Sequence, residues 1–380
     1  MLKALDFFAG SGLVALGLAP EFETVWANDI DPKKRDVYIA NHPSDQFNLC
    51  DIRNVHGDDL PDADLAWASF PCQDLSLAGN LNGMKEGTRS GLFWEWLRVL
   101  EELKQTGKLP PVLVAENVVG FIVAEQGKHF RTAYNALRDL GYRLGAVVVD
   151  GRAFVPQSRP RAFLIATTEK ADLEKLCQGL PTEPFHPKGL IRSAALINDP
   201  EWIWWSLPLP QGRTPLFSDF CDREAPCDPP SKTRELCKLL SPVNRRKLDA
   251  ARWANTFFAG TGYRRTRPDE DGTKRQRLEI RFDGIAGCLR TPNGGSSRQT
   301  VILVERGRVR SRLMTVRECA RLMGAPDTYV IGGSYNDGYR AMGDAVVVPV
   351  TRWITRFLLA PLAAGALASA EAEPASKSAA

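Results

Sequence analysis

Ala4-Leu5-Asp6-Phe7-Phe8-Ala9-Gly10-Ser11-Gly12-Leu13-Val14-Ala15 is the stretch on which the fold turns. An apolar strand pattern runs into a glycine turn and out into an apolar helical start. Gly10 and Gly12 lack a Cβ and can take positive φ, so main chain can approach a ligand closely there. Asp29 follows Val25-Trp26-Ala27-Asn28, where a carboxylate at a strand end can accept from two ribose hydroxyls. Gly10-x-Gly12-x-x-Ala15 also matches the dinucleotide fingerprint, so an NAD-binding oxidoreductase stays open at this point, as does a tight turn with no ligand. Phe8, placed to lie beside an adenine ring, and Asp51, placed to accept from its amino group, favour S-adenosyl-L-methionine. Asp51 equally suits a turn or cap.

Outward from this run, apolar segments alternate with amphipathic ones. Strands are expected over 4–8, 24–27, 63–68, 112–115, 143–149 and 162–166, and helices over 13–18, 32–41, 90–104 and 127–140. Such alternation is the pattern of an α/β domain built on a doubly wound parallel sheet. From residue 186 prolines and the cluster Trp202, Trp204 and Trp205 end the alternation, and residues 231–317 look short, basic and strand-like. The expected organisation is a catalytic domain over 1–185, a smaller irregular module over 186–317, a return segment over 318–362 that includes a buried strand at 345–350, and a disordered tail over 363–380.

The chain has 380 residues, 44% of them hydrophobic and 25% charged, as in ordinary folded proteins. Its start shows no export signal, and Pro349, Arg352, Arg356 and Pro361 interrupt the apolar stretch 346–367, which speaks against a membrane span. A cytoplasmic protein without a membrane role is expected, with its eight cysteines reduced. Cys221, Cys227 and Cys237 have no close Cys-x-x-Cys pair or nearby histidine, so no metal is expected. His42, His56, His129 and His186 stand in no triad-like context. Net charge is +4 but uneven: residues 231–317 carry 21 Lys+Arg against 8 Asp+Glu, or +13, leaving −9 elsewhere. A basic segment of this kind suits a phosphate-contacting surface, or simply a solvated face.

Three further segments bring chemistry to the sheet edge. Ala63-Asp64-Leu65-Ala66-Trp67-Ala68 ends in Ser69-Phe70-Pro71-Cys72-Gln73, placing a thiol just past a strand, where open α/β sheets bind ligands. Gly79, Gly83, Gly87 and Gly91 then space a polar stretch suited to a lid. Val112-Leu113-Val114-Ala115 ends in Glu116-Asn117-Val118, and Pro156-Gln157-Ser158-Arg159-Pro160-Arg161 adds two guanidinium groups before another strand.

At these residues the chain resembles the DNA cytosine-5 methyltransferase family. That family's motifs are matched in order by Asp6-Phe7-Phe8-Ala9-Gly10-Ser11-Gly12, Pro71-Cys72-Gln73, Glu116-Asn117-Val118, Gln157-Ser158-Arg159-Pro160-Arg161, Arg317-Glu318-Cys319-Ala320-Arg321-Leu322-Met323-Gly324 and Gly343-Asp344-Ala345-Val346-Val347-Val348-Pro349-Val350. Six short motifs in the right order are specific where one is not. The resemblance implies a doubly wound, Rossmann-like methyltransferase sheet with a second, smaller, irregular target-recognition domain. It also implies S-adenosyl-L-methionine as cofactor and double-stranded DNA as partner, in a monomer that works beside a restriction endonuclease or alone. The chain departs from the family's usual pattern at Leu13, where a second glycine is frequent, and at Asp344, where asparagine is usual.

Carbon 5 of cytosine is too weak a nucleophile to take a methyl group directly. The implied Cys72 thiolate therefore adds at carbon 6 and makes the ring an enamine. Glu116 is implied to meet ring nitrogen 3 as a protonated carboxyl in a dry pocket and to accept from the exocyclic amine. Arg161 would hold the carbonyl oxygen of the base, Arg159 would serve as a structural or phosphate partner, and Gln73 and Ser76 are candidates for pocket or DNA contacts. The base must leave the stack for any of this. Phe8, Gly10, Gly12, Asp29, Asp51 and Asp344 form the expected cofactor set. Arg264, Arg265, Arg267, Arg290 and Arg298, with Asn293, Gly294 and Gly295 in the 289–300 loop, are expected at the DNA. The NAD reading leaves Cys72, Glu116 and Arg161 without a role. RNA cytosine-5 methylation, or a non-catalytic DNA-binding homologue, remains an alternative.

Overall fold

A computed structural model describes residues 1–71, 91–168, 173–254, 256–268, 272–291 and 298–372. Cys72, Gln73 and Ser76, the glycine-spaced stretch up to residue 90, and Asn293, Gly294 and Gly295 lie outside the described residues. The chain divides into two compact units, one formed by Met1–Val149, Pro160–Leu209 and Val350–Ala380, the other by Asp150–Arg159 and Pro210–Pro349.

In the first unit the chain runs β1 (Leu2–Phe7), α1 (Leu13–Leu18), β2 (Phe22–Asp29), α2 (Pro32–Ile39), β3 (Phe47–Leu49), β4 (Leu65–Ala68), α3 (Leu92–Gln105), β5 (Val112–Val118), α4 (Gly120–Val123), α5 (Lys128–Asp139), β6 (Arg143–Asp150) and β7 (Pro160–Thr167). It continues through β8 (Cys177–Gln178), α6 (Lys188–Ile197) and β9 (Trp204–Trp205). Among the described residues seven strands form one sheet in the order β3-β2-β1-β4-β5-β7-β6. β1 pairs in parallel with β2 on one side and β4 on the other, so the topology reverses at its carboxyl end, where a crevice opens in such sheets. Leu5, Phe7, Leu65, Ala66, Trp67, Leu113 and Val114 are fully buried, as continuous apolar strands must be when helices cover both faces. Phe93, Trp96, Leu100 and Leu103 share the buried face of α3.

The sheet departs from the all-parallel expectation at β7, which runs antiparallel to β5. Residues 151–159 join β6 to β7 with only one short 3-10 turn, too little for the helical crossover that a parallel return needs. β3 is a three-residue strand that leaves no alternating pattern to read.

In the second unit α7 (Phe217–Phe220), α8 (Pro230–Lys238) and α9 (Pro242–Trp253) precede β10 (Phe258–Pro268), β11 (Lys274–Arg281), β12 (Thr300–Glu305) and β13 (Arg308–Leu313), then α10 (Val316–Leu322) and α11 (Tyr335–Asp344). The strands make one antiparallel sheet, β11-β10-β12-β13. Leu240, Leu248, Leu278, Ile280, Ile302 and Val304 form its core. The start of the basic segment is therefore helical where strands were expected. Pro230 and Pro242 occupy first-turn helix positions, where a missing N–H is no loss, and they start helices instead of breaking them.

α12 (Val348–Ile354) and α13 (Ala360–Ala372) are the last elements among the described residues. The strand expected at 345–350 does not form: Ala345 ends α11 and α12 begins at Val348, while the Ala345 carbonyl accepts from Arg159 and the Val348 N–H donates to Met323. α13 also continues to Ala372, where a disordered tail was expected from 363. Alanine is the strongest helix former, and Leu362 and Ala363 are buried. By length and composition Tyr335–Ala366 passes as a membrane-crossing helix, yet it is broken at Ala345–Val347 and 61% of its most apolar window is buried in protein.

Candidate active site

The loop after β1 is shaped by three residues in the left-handed region: Phe8 (φ 59°), Gly10 (57°) and Gly12 (81°). Such a φ is rare for a bulky residue like Phe8, and strain of this kind collects at ligand sites. Asp29 fixes the turn, its two oxygens accepting from Gly10 N–H (3.0 Å) and Asp31 N–H (2.9 Å). Asn28 accepts from Phe8 N–H at 3.4 Å. A Cβ on Gly12 would lie 2.6 Å from His42 Cδ2 and 2.9 Å from Tyr38 Cδ2, whereas one on Gly10 would meet nothing nearer than 3.9 Å. Burial lowers the pKa of His42, partly offset by its hydrogen bond with the Gly12 backbone. Beneath the turn Asp6 is fully buried with neither carboxyl oxygen hydrogen-bonded among the described residues, and burial, then the charge of Asp29, raises its pKa far above the usual range. Asp51 caps the 3-10 turn Ile52–Asn54, accepting from Arg53 N–H at 3.0 Å and pairing with the Arg53 guanidinium at 3.1 Å.

The carboxyl ends of β4 and β5 meet through Asn117. Its Nδ2 donates to the Phe70 carbonyl at 3.1 Å, and its Oδ1 accepts from Val118 N–H at 2.9 Å. Phe70 is itself buried against Phe93 and Phe121, ring centroids 5.4 and 5.9 Å away. The main chain is thus pinned two residues before Cys72. Next to Asn117, buried Glu116 takes Arg161 Nε at 3.1 Å, and Arg161 also donates to the Pro160 carbonyl. Glu116 and Arg161, expected to converge, do so.

In the second unit Arg159 is 2% exposed. Its guanidinium donates to the carbonyls of Leu289 (2.9 Å), Gly343 (2.8 Å) and Ala345 (2.6 Å) and lies 3.4 Å from Cys288 Sγ. It acts there as a clamp on main chain, a setting unlike that of a group contacting substrate, because these acceptors occupy its fork. Gln157 has the same character, donating to Leu322 O and accepting from Leu289 N–H. Asp344 accepts from the Thr291 hydroxyl and lies 3.9 Å from Arg340. Arg264 and Arg290 are exposed. Arg265 and Arg267 both pair with Glu279, and Arg298 donates to Asn336.

Several working residues carry no role in the sequence reading. Asn117 stood inside a quoted motif, which was its only signal. Arg312 and Glu318 form a buried two-armed ion pair at 2.6 and 2.7 Å, and Glu318 also accepts from Thr315 and Asp222 N–H. The Thr315-to-Glu318 spacing of a capping box hinted at one of these bonds. Among the described residues no group of three or more His, Cys, Asp or Glu could hold a metal ion.

Glu116, Arg161 and the pinned Phe70 edge, together with a strained glycine turn, suit chemistry on a polar ring beside a nucleoside-bearing cofactor. Similarity to known proteins agrees. The chain is 26% identical to the Type II methyltransferase M.Bsp6I of Bacillus sp. (strain RFL6) over 361 residues, covering 93% of this chain and 97% of that one. It is likewise 26% identical to the Type II methyltransferase M.HhaI of Haemophilus parahaemolyticus over 357 residues, 93% of each. The crystal structure of the S. pombe Dnmt2 methyltransferase shares the fold, with a TM-score of 0.59 and 18% identity across 94% of this chain and 98% of that one. The model of the C-5 cytosine-specific DNA methylase family matches residues 2–359, and the chain belongs to that family.

Proposed function

We propose that the protein methylates carbon 5 of a cytosine flipped out of a specific duplex DNA sequence, using S-adenosyl-L-methionine and a covalent adduct at Cys72. The observation that carries this reading is the joining of Phe70, Asn117, Glu116 and Arg161 at the carboxyl edge of one sheet.

The glycine turn fits the cofactor. Positive φ at Phe8, Gly10 and Gly12 opens main chain toward a ligand, and Asp29 and Asp51 bring carboxylates to the strand ends beside it. When bound, S-adenosyl-L-methionine supplies an electrophilic methyl group on a sulfonium. Cys72 adds through sulfur to carbon 6 of the base, and the displaced electron pair makes carbon 5 nucleophilic. Glu116 holds a proton at ring nitrogen 3 while this charge develops, and Arg161 orients that carboxyl and faces the base carbonyl. Loss of the carbon 5 proton then expels the Cys72 thiolate and restores the aromatic ring. Asn117 is a positioning residue that sets the chain entering Cys72.

We assign target recognition to the basic second unit, Arg290 and the 289–300 loop included, and cofactor-side positioning to Asp344. The protein is a cytoplasmic monomer in this reading, and the Type II relatives point to a cognate restriction endonuclease as its partner in the cell. Methyl transfer from labelled S-adenosyl-L-methionine to duplex DNA and to RNA tests it. Label is expected in DNA, lost in Cys72→Ala, and a 5-fluorocytosine duplex should trap a covalent adduct. Label in RNA alone, or undiminished label with Cys72→Ala, overturns the proposal.

A further inference from the structure

Asp51 sits between two main-chain carbonyls that distant side chains hold. On one side the Cys50 carbonyl accepts from Asn28 Nδ2 at 3.2 Å, and Asn28 also accepts from Phe8 N–H in the glycine turn. On the other side the Ile52 carbonyl accepts from Arg98 Nη2 at 3.2 Å, and the same nitrogen donates to the Val55 carbonyl at 2.9 Å. Arg98 belongs to α3, 46 residues on from Ile52. Its other nitrogens are held by the helix itself: Nε donates to Glu95 at 2.9 Å and Nη1 to Glu102 at 2.5 Å, one turn before and one turn after. Glu102 extends the tie, accepting from Gly57 N–H at 2.7 Å through its second oxygen. A Cβ on Gly57 would lie 2.7 Å from Glu102 Cβ and 2.8 Å from Leu103 N, so helix and segment approach as closely as only glycine permits.

Apolar burial already keeps this segment in place. Ile52, Val55 and Leu60 are buried in one core with Trp96, Val99, Leu100 and Leu103 of α3. Such burial is non-directional and tolerates a turned peptide plane. A planar guanidinium among fixed acceptors is directional. Holding the Cys50 and Ile52 carbonyls sets the peptide planes on both sides of Asp51, and with them the direction of its side chain. Each Asp51 oxygen already accepts from Arg53, so the acceptor directions left to it are narrow and depend on that setting.

We propose that Arg98 is a positioning residue for cofactor recognition: by holding the 51–57 segment against α3 it aims the Asp51 carboxylate at the 6-amino group of the adenine ring. The inference rests on the proposed use of S-adenosyl-L-methionine, with Asp51 at its adenine end. An acceptor set in this way distinguishes adenine from a base that carries a carbonyl at position 6. A residue that only stabilised the fold would affect both bases alike.

Calorimetric binding of S-adenosyl-L-homocysteine and S-inosyl-L-homocysteine to the full chain separates these roles. Wild type is expected to prefer the adenosyl compound at least about tenfold, the worth of a hydrogen bond to a charged acceptor. Arg98→Gln should cut that preference to about twofold, weakening the adenosyl compound while the inosyl one stays within about twofold of wild type. Arg98→Lys keeps the charge beside Glu95 and Glu102 but lacks the fork, so its preference should fall between the two, and it carries the comparison if the glutamine variant fails to fold. Asp51→Ala should show the same low preference, and adding Arg98→Gln to it should lower the preference no further. Equal weakening of both compounds, a preference unchanged by either Arg98 substitution, or one that survives Asp51→Ala overturns the assignment. A wild type that binds neither compound overturns the cofactor reading and the assignment with it, whereas one that binds both alike overturns the assignment alone.

Discussion

Arg161 places its Nε 3.1 Å from Glu116 Oε1, with the two side chains only 15% and 8% exposed. The strand register produces this pair: Val118 lies opposite Arg161, and Glu116 opposite Phe163, so the two side chains meet on a diagonal of one sheet face. The reversed direction of β7 thus brings a guanidinium to the carboxyl end of β5, beside Glu116.

Glu116→Gln keeps the shape and the hydrogen bond but cannot release a proton to the ring. Methyl transfer per enzyme is expected to fall about 100-fold, the low end for a general acid, with cofactor binding by calorimetry retained. Arg161→Ala should lose a similar rate and in addition about 3 kcal/mol of stability in urea melts, because it takes a charged partner from buried Glu116. An active Glu116→Gln enzyme would remove this residue from the chemistry.

Asn117→Ala removes the tie to the Phe70 carbonyl and leaves a buried acceptor unmet, at a cost of about 1–3 kcal/mol. Its sharper effect falls on the adduct: trapping of Cys72 by a 5-fluorocytosine duplex should slow about tenfold, as expected when a nucleophile is loosened. The KM for DNA should move little. A changed KM with an unaltered trapping rate would show that Asn117 serves DNA binding instead of positioning.

What the sequence disclosed and what it hid divide by range. The helix at 13–18 is present with the expected bounds, and the helix expected at 90–104 is found at Leu92–Gln105, because helical and strand periods are local signals. The helices that begin at Pro230 and Pro242 went unread, because a proline that breaks one helix position starts another. Long-range partners leave no local trace. Arg159 reaches the Gly343 carbonyl 184 residues away, and Asn117 reaches Phe70 across 47. Glu116 and Arg161 were legible because strand ends placed both at one sheet edge and motif order gave them roles.

Asp6 makes a pH-dependent prediction. Its pKa is raised in the folded protein, by burial first and then by Asp29. Folded stability is therefore full below the unfolded value near 3.8 and declines as pH climbs toward the folded value, by about 1.4 kcal/mol per unit. Asp6→Asn lacks this decline. Urea unfolding from about pH 4 to about pH 7 should show the variant gaining on wild type as pH rises across that window. Parallel stability curves would mean that Asp6 ionises alike in both states.

Glu318 behaves in the opposite sense. Burial alone would raise its pKa, but the Arg312 guanidinium and the N–H groups of Thr315 and Asp222 outweigh that and hold it below the ordinary carboxylate value. Its contribution is complete above the unfolded value and is lost as pH falls through the folded one. At neutral pH Glu318→Gln leaves Arg312, 4% exposed in its side chain, without its counter-charge, and about 3–5 kcal/mol should be lost. That penalty should shrink on acidification, since protonation removes the same charge from wild type. Replacing both partners, Arg312→Met with Glu318→Leu, should recover part of the loss, because burying two ions costs nearly as much as their attraction returns. A double variant less stable than Glu318→Gln would show that the pair also supports the Asp222 and Thr315 backbone in ways apolar side chains cannot replace.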